Sequence, residues 1–557
     1  MKKILLIAFV LTYLCQGIIA QNNIKIDADL RQEMALRNTS ELIGINIILK
    51  QQYEQMEMRK KLSVLPKKED KRTFVVGELK RFSKETQQGV MDFLSTAPSV
   101  SKVQSFWVAN FINCYANIET IKELSSHPDV LLIGLDQEHQ WIPEEKQHGA
   151  LLDGTKEITY NVLKVNANRV WNELGYTGEN VIVAILDTGV NYNHFDLNNH
   201  MWVHPNFPYY GWNVYGNNNN PMDDRGHGTH CAGIIAGDGA AGSQTGMAPD
   251  VKIMAIKIWS NTGAGTISDY CDGFQFAVDH GAHVINLSGG RINATATEKI
   301  LFRNTAVSVL EAGIIAAVCA GNEGGIISSY YPVPQNVRTP ASCPPPWLHP
   351  NQTTTGGLSA VVCVGSTDID DNIAGSSSIG PSTWQSISGY NDYPYSPGMG
   401  LIRPDVCAPG VDIKSCSHTN NSGYIPDSGT SMATSCVAGV MALMLSKNPK
   451  LTPAEICEIL ETTAVHLPNQ SSPKGNVFGS GRIDAYAAVQ AVPACLPVNF
   501  INQVITTNMT VTSCDDINVQ NVKVRNGAKL TLDAGGEVNI ISDFEVELGS
   551  EFEIVHP

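Results

Sequence analysis

The sequence predicts a parallel, doubly wound α/β core, with a small α+β unit before it and a small all-β module after it. Three observations carry this. Between residue 161 and about residue 492, unbroken apolar runs such as 181–186 alternate with stretches of helix length. Unbroken apolar strands belong to a sheet covered on both faces, and strands alternating with helices imply parallel crossovers. Upstream, the order strand, helix, two strands, helix, strand suggests a ferredoxin-like unit. Downstream, Gly-led strings with alternating apolar residues recur, as in a small β module with a loose internal repeat.

At 557 residues the chain exceeds one typical domain. Residues 1–20 read as a secretory signal: Lys2 and Lys3, an apolar run over 4–14, then Gly17 to Ala20 as a small-residue exit. No other run approaches the length of a membrane span. From 24 to about 62 the pattern is mixed helical and polar, with no nameable chemistry. The α+β unit follows, with a strand at 73–76, a helix at 84–94, one or two strands within 103–115, a helix at 118–126 and a strand at 130–135. Residues 141–153, polar and containing Pro143 and Gly149, read as a linker and a cleavage region.

In the core, strands are expected at 181–186, 253–258, 283–287, 313–318 and 361–364, and helices at 230–236, 267–280 and 299–312. Segments 326–358 and 384–427 are rich in Pro, Ser, Gly and Tyr and read as surface insertions. The β module spans 498–557, with related strings at 526–532, 535–540 and 548–554.

Charge is uneven. Residues 21–150 carry 17 Lys/Arg against 18 Asp/Glu, with a basic cluster from Arg59 to Lys84, whereas 151–557 carry 19 against 36. A strongly acidic main body argues against a nucleic-acid partner. Twelve of the 13 cysteines lie beyond the signal and none forms a C-x-x-C pair, so no metal cluster is expected. Cys407 and Cys416 could bridge one loop, and the segment from Cys343 to Cys363 could hold another bridge. Cys319 and Cys436 fall in apolar runs and read as core thiols.

Four stretches carry chemistry. Asp187 follows the apolar strand 181–186, at the end where open α/β sheets bind ligands. His227 stands between glycines in Asp224-Arg225-Gly226-His227-Gly228-Thr229-His230, at a helix start. Asn322, in Ala320-Gly321-Asn322-Glu323-Gly324, follows the strand 313–318 and offers an amide to a developing oxyanion. Ser431, in Asp427-Ser428-Gly429-Thr430-Ser431-Met432-Ala433, opens a helix too apolar for a surface. A serine there has a rigid position, a free backbone N–H and a favourable helix dipole. Each feature alone also fits a turn or a helix cap.

Together, in the order Asp, His, Asn, Ser and with the strings DTGV, HGTHCAG, AGNEG and GTSMA, they resemble the subtilisin-like serine proteases over about 161–492. The resemblance implies a subtilisin-like α/β fold and a secreted serine endopeptidase. Its triad would be Asp187, His227 and Ser431, with Asn322 in the oxyanion hole. Supporting strings are Gly246-Met247-Ala248-Pro249 and Asn286-Leu287-Ser288-Gly289-Gly290, the latter placing Ser288, Gly289 and Gly290 on the substrate-binding edge. It implies the organisation signal 1–20, propeptide 21–150 with an inhibitory core at about 72–140, catalytic domain 155–493 and β module 498–557. Partners would be protein or peptide substrates and the chain's own propeptide, acting as intramolecular inhibitor and folding aid. No cofactor is required. Calcium is possible for the family, but the loop 237–246 is short and no metal site is assigned. His230, His280 and His283 read as structural.

Two alternatives stay open on the residues. Asp187-Thr188-Gly189 and Asp427-Ser428-Gly429 also fit the paired signature of aspartic proteases, against which stand the α/β alternation and Pro426. The chain could also be a catalytically silent scaffold that binds partners through its tail.

Overall fold

The computed structural model describes residues 25–62, 68–142, 150–324, 331–344, 359–384 and 400–555. The expected signal, most of the cleavage region and much of both expected insertions lie outside the described residues.

The N-terminal unit runs α1 (Ala28–Leu36), β1 (Ile43–Leu49), α2 (Gln55–Leu62), α3 (Lys68–Thr96), β2 (Val100–Phe106), β3 (Phe111–Ala116), α4 (Ile118–Ser126), β4 (Val130–Leu135) and β5 (His139–Gln140). Its sheet has the order β2-β3-β1-β4, all antiparallel, which is the expected ferredoxin-like arrangement. The first strand is not where the sequence placed it. Residues 73–76 lie inside α3, and the strand is β1, every residue of which is buried. The β-branched run Thr73 to Val76 suggested a strand, but tertiary packing overrides local propensity. Val75, Leu79, Ser83, Gln87, Val90 and Leu94 recur every three or four residues and are all buried on one helix face. Two of those positions are polar, which hid the stripe. Gln87 is satisfied by donating to Phe106 O and Asn110 Oδ1, both at 3.0 Å. The unit therefore begins well upstream of residue 72.

The core holds a seven-stranded sheet. Its strands are β6 (Ile182–Asp187), β7 (Gly211–Asn213), β8 (Lys252–Lys257), β10 (Val284–Leu287), β11 (Ile315–Cys319), β12 (Val362–Thr367) and β13 (Val406–Pro409), while the two-residue β9 (Ala264–Gly265) lies apart and pairs with β5. The order is β13-β12-β11-β10-β6-β8-β7, all parallel. Helices α5 (His227–Ala236), α6 (Ile267–Asp279) and α7 (Ala296–Glu311) form the crossovers. The hairpin β14 (Ile413–Cys416) and β15 (Tyr424–Asp427) leads into α8 (Thr430–Lys447), followed by α9 (Pro453–Thr462). Strand residues alternate between two cores. Val183 and Ile185 face α5 and α8, and Ala184 and Leu186 face α6 and α7. Helix α8 is buried from Thr430 through Leu445, as its composition requires. The stretch 384–427 is not wholly an insertion, because it contains β13, a fully buried edge of this sheet.

The tail forms two parallel three-stranded sheets, β16 (Val498–Ile505), β18 (Ile517–Val524), β20 (Val538–Val546) and β17 (Met509–Ser513), β19 (Lys529–Ala534), β21 (Glu551–Val555). Successive turns stack like with like: Asn518 Nδ2 donates to Asn499 Oδ1 at 3.0 Å and Asn539 Nδ2 to Asn518 Oδ1 at 3.3 Å. The expected cysteine bridges do not form. Cys343, Cys363, Cys407 and Cys416 are free and buried, as are Cys319 and Cys436. The disulfide found joins Cys495 to Cys514, 19 residues apart. Closing a loop of that size stabilises by about 3 kcal/mol. Cys514→Ser is therefore expected to lower the melting temperature of the tail and expose it to limited proteolysis, while the catalytic core melts unchanged.

Candidate active site

The site lies where the strand order turns back on itself. From β6 the chain runs to β8 on one side and then crosses to β10 on the other, so the carboxyl ends of β6 and β10 flank the crevice of a doubly wound sheet. Asp187 closes β6 and is fully buried. Leu287 pairs with Leu186, which sets Ser288 abreast of Asp187.

His227 opens α5. Gly226, at φ +111°, turns the chain into the helix, and Gly228 lets the helix settle on the end of β6. A Cβ on Gly228 would stand 2.0 Å from Gly189 O and 3.0 Å from Asp187 Cβ. This close approach brings His227 Nδ1 to 2.8 and 3.0 Å from the two Asp187 carboxylate oxygens. With a carboxylate on Nδ1, the neutral ring keeps its hydrogen there and Nε2 carries the lone pair. Thr188 N–H also donates to Asp187 Oδ1, at 2.7 Å.

Ser431 sits in the first turn of α8, where backbone N–H groups have no acceptor within the helix. Its hydroxyl donates to Ser288 O at 2.9 Å, and Ser288 Oγ returns a bond to Ser431 O at 3.1 Å. The pair ties the start of α8 to the end of β10. Asn322, after β11, accepts at Oδ1 from Thr430 N–H and Thr430 Oγ1, both at 3.0 Å. A backbone N–H can only donate, so this contact fixes which end of the amide is oxygen. The NH2 end faces Gly429, where a Cβ would come within 3.0 Å of Nδ2.

The histidines read as structural make backbone contacts. His230 Nε2 lies 3.0 Å from Ile413 O and Ile425 O, and burial holds its pKa low. His283 Nδ1 accepts from Ile182 N–H at 2.9 Å, and His280 Nδ1 lies 2.8 Å from Phe276 O.

Among the described residues, two constellations bring potential metal ligands within 4.8 Å of one another: Asp187, His227 and Cys231, and His194, Asp196 and Cys416. Neither suits calcium, which takes six to eight oxygen ligands. In the first, carboxylate and imidazole are bonded to each other, and burial, with the Asp187 charge adding, raises Cys231 well above its ordinary pKa. In the second, His194 Nδ1 accepts from Asp196 N–H at 3.2 Å and Nε2 donates to Gly423 O at 3.0 Å. Asp196 itself accepts from Ala241 N–H at 2.5 Å and Tyr424 OH at 2.7 Å. Ala241 belongs to the short loop 237–246, so the Asp196 carboxylate accepts from that loop's backbone and holds it. Tyr424→Phe would strip a donor from buried Asp196 and an acceptor from Ser243 N–H. The expected loss is about 1–3 kcal/mol, read as a lower melting temperature.

Residues that the sequence reading passed over build the scaffold. Asp223 Oδ1 accepts from Arg225 N–H at 3.0 Å and Gly226 N–H at 2.9 Å, and Oδ2 from Thr229 N–H at 2.8 Å, which anchors the start of α5. Its signal was an acidic residue shortly before a helix start. Thr430, which orients Asn322, looked like an ordinary first-turn residue.

The profile of the Subtilase family matches residues 178–482. Subtilisin NAT of Bacillus subtilis subsp. natto is 31% identical over 374 residues, covering 67% of this chain and 78% of that protein. The subtilisin of Bacillus pumilus is 32% identical over 337 residues, 60% of this chain and 100% of that protein. Bacillopeptidase F of Bacillus subtilis (strain 168) is 29% identical over 464 residues, 78% of this chain, which spans 30% of the length of that relative.

Proposed function

The chain belongs to the Subtilase family of serine endopeptidases, and from that premise we propose that it cleaves peptide bonds with Ser431 as nucleophile, His227 as base, and Asp187 holding the imidazole. The observation that carries this reading is the buried Asp187–His227 pair at the switch point of the sheet, abreast of the Ser288 to which Ser431 is tied. In the reaction, Ser431 Oγ turns from Ser288 O and gives its proton to His227 Nε2 as it attacks the substrate carbonyl. The imidazolium, stabilised by Asp187, then protonates the leaving amine. The oxyanion is held by the Ser431 N–H and the Asn322 NH2. Ser288, Gly289 and Gly290 form the substrate edge.

The chain is further read as an exported zymogen. Residues 1–20 direct export, and 21–150 act as propeptide until self-cleavage near 140–155. The Cys495–Cys514 disulfide fits an oxidising compartment. Among the described residues, no helix is long and apolar enough to cross a membrane.

Comparing full-length wild type with Ser431→Ala tests this. Only the wild type should shorten by about the propeptide and hydrolyse casein. If both shorten and cleave, the nucleophile is elsewhere; if neither does, though folded, the chain is a silent scaffold.

Release of the N-terminal unit should depend on pH. Asp136 accepts from Ser268 Oγ at 2.6 Å at the start of α6, beside Asp269. Burial raises Asp136 above the carboxylate range, and burial with the Asp136 charge raises Asp269 to about 7. Groups held this way favour their protonated form in the joined state. The contact is then most favourable below about pH 4 and loosens as pH rises to about 7. The cleaved unit should leave faster at pH 8 than at pH 5, and Asp269→Asn should narrow the difference, as followed by gel filtration.

A further inference from the structure

The tail module is a solenoid whose two ends complement each other. Its three coils, β16 with β17, β18 with β19 and β20 with β21, stack in parallel and repeat one backbone shape. Each bends at a left-handed residue in the same column: Asn502 at φ 56°, Asn521 at 52° and Asp543 at 53°. Burial follows from the stacking. The middle coil is covered on both sides, and its Val519, Val522, Leu530 and Leu532 are fully buried. Their counterparts in the outer coils, Phe500, Phe544, Phe552 and Val511, pack on one side only and are half-buried. Val504 on coil one and Ile541 on coil three are 59% and 61% exposed.

The side-chain ladders have a direction. Asn539 Nδ2 donates to Asn518 Oδ1, and Asn518 Nδ2 to Asn499 Oδ1. The Asp516 carboxylate accepts from Asn539 Nδ2 at 3.5 Å, which sets the polarity of the column. The column therefore ends on an N–H donor at coil one and a carbonyl acceptor at coil three. Among the described residues, neither Asn499 Nδ2 nor Asn539 Oδ1 has a partner. The next column repeats the pattern: Asn521 Nδ2 donates to Asn502 Oδ1 at 2.7 Å, and Asp543 stands at the far end. Charge divides the same way. Residues 498–513 carry no charged side chain, whereas coil three carries Asp543, Glu545, Glu547, Glu551 and Glu553. Glu553 accepts from Thr531 of coil two at 3.5 Å, and Thr510 holds the same column on coil one.

We propose that the tail is a self-assembly module, in which the β16–β17 edge of one copy stacks in parallel on the β20–β21 edge of the next. Outer strands with an unpaired edge are templates for a further strand. Here the added strand continues a stack that the chain has already built twice. Asn499 Nδ2 donates to the next copy's Asn539 Oδ1, Asn502 Nδ2 to its Asp543, and Thr510 Oγ1 to its Glu553. Coil three set against another coil three would oppose carboxylates, which selects unlike ends. A head-to-tail contact leaves a free end on every pair of copies, so growth continues past the dimer. The inference is independent of the endopeptidase reading.

The test follows sedimentation of the full chain at rising concentration, with Ser431→Ala present so that self-cleavage plays no part. Mean mass should climb beyond the dimer. Adding Asn499→Asp and Thr510→Glu should weaken association by about 10–100-fold, because acceptors replace the outward donors while the bond from Asn518 survives. Both sites are exposed, so the melting temperature should not move. Mixed with chains lacking the tail substitutions, this variant should shorten their assemblies, since its β20–β21 edge still binds. Amide exchange without the tail substitutions should slow with concentration in both β16 and β20. A chain that stays monomeric overturns the inference. A mass that stops at the dimer, or protection confined to one edge, overturns the head-to-tail arrangement. Association unchanged by the two tail substitutions overturns the assignment to these ends.

Discussion

Asp187→Asn is expected to lower kcat by about 10⁴-fold while the protein folds and melts as the wild type does. The side chains are the same size, so the packing at the end of β6 survives. What changes is the direction of one hydrogen bond. Asp187 accepts from His227 Nδ1–H at 2.8 Å, which on the proposed mechanism leaves the lone pair on Nε2 for the Ser431 proton. An asparagine that donates its NH2 to Nδ1 stabilises the opposite tautomer, with hydrogen on Nε2, and removes the charge that would balance an imidazolium. Steady-state kinetics beside a melting curve separate the two effects. A drop in kcat below tenfold would mean that Asp187 does not orient the base.

Gly228→Ala acts on the same pair through space. The added Cβ would stand 2.0 Å from Gly189 O, a contact between two backbone segments with no flexible side chain to yield. Helix α5 must therefore move away from β6, carrying His227 with it. A displacement of about 1 Å at a reacting group lowers rate about 10²-fold, and this clash calls for at least that much. Activity should fall 10²-fold or more, with a lowered melting temperature. Gly175→Ala, at a glycine with open space around it, serves as the comparison. Its positive φ makes it mildly destabilising without touching the site.

The parts of the fold that were legible are those in which local and tertiary preferences agree. The β6, β8 and β10 strands are built mainly of apolar residues, and their bounds came within a residue or two. α4 and β4 were placed to the residue, and Asn117 caps α4 by accepting from Thr120 N–H. β1 was missed because Gly44 and Asn46 interrupt its apolar run, although Asn46 is buried and donates to Asp136 Oδ1 at 2.9 Å. α7 was begun three residues late. Its capping box, Thr295 with Glu298, is a sequence signal that would have set the start. The four chemical motifs stood out because each follows a strand or opens a helix: Asp187 closes β6 and Asn322 follows β11, while His227 and Ser431 lie in the first turns of α5 and α8. Their supports did not: Asp223 and Thr430 act through contacts that only the folded chain creates. Trp141, read as part of a linker, is buried among aromatic residues more than a hundred positions away in sequence.

Labelling the full chain with a fluorophosphonate, followed by peptide mapping, tests the nucleophile assignment most directly. The expected result is one adduct per molecule, on Ser431, formed far more slowly in Asp187→Asn. An adduct on another serine, or none on a correctly folded protein, would contradict it.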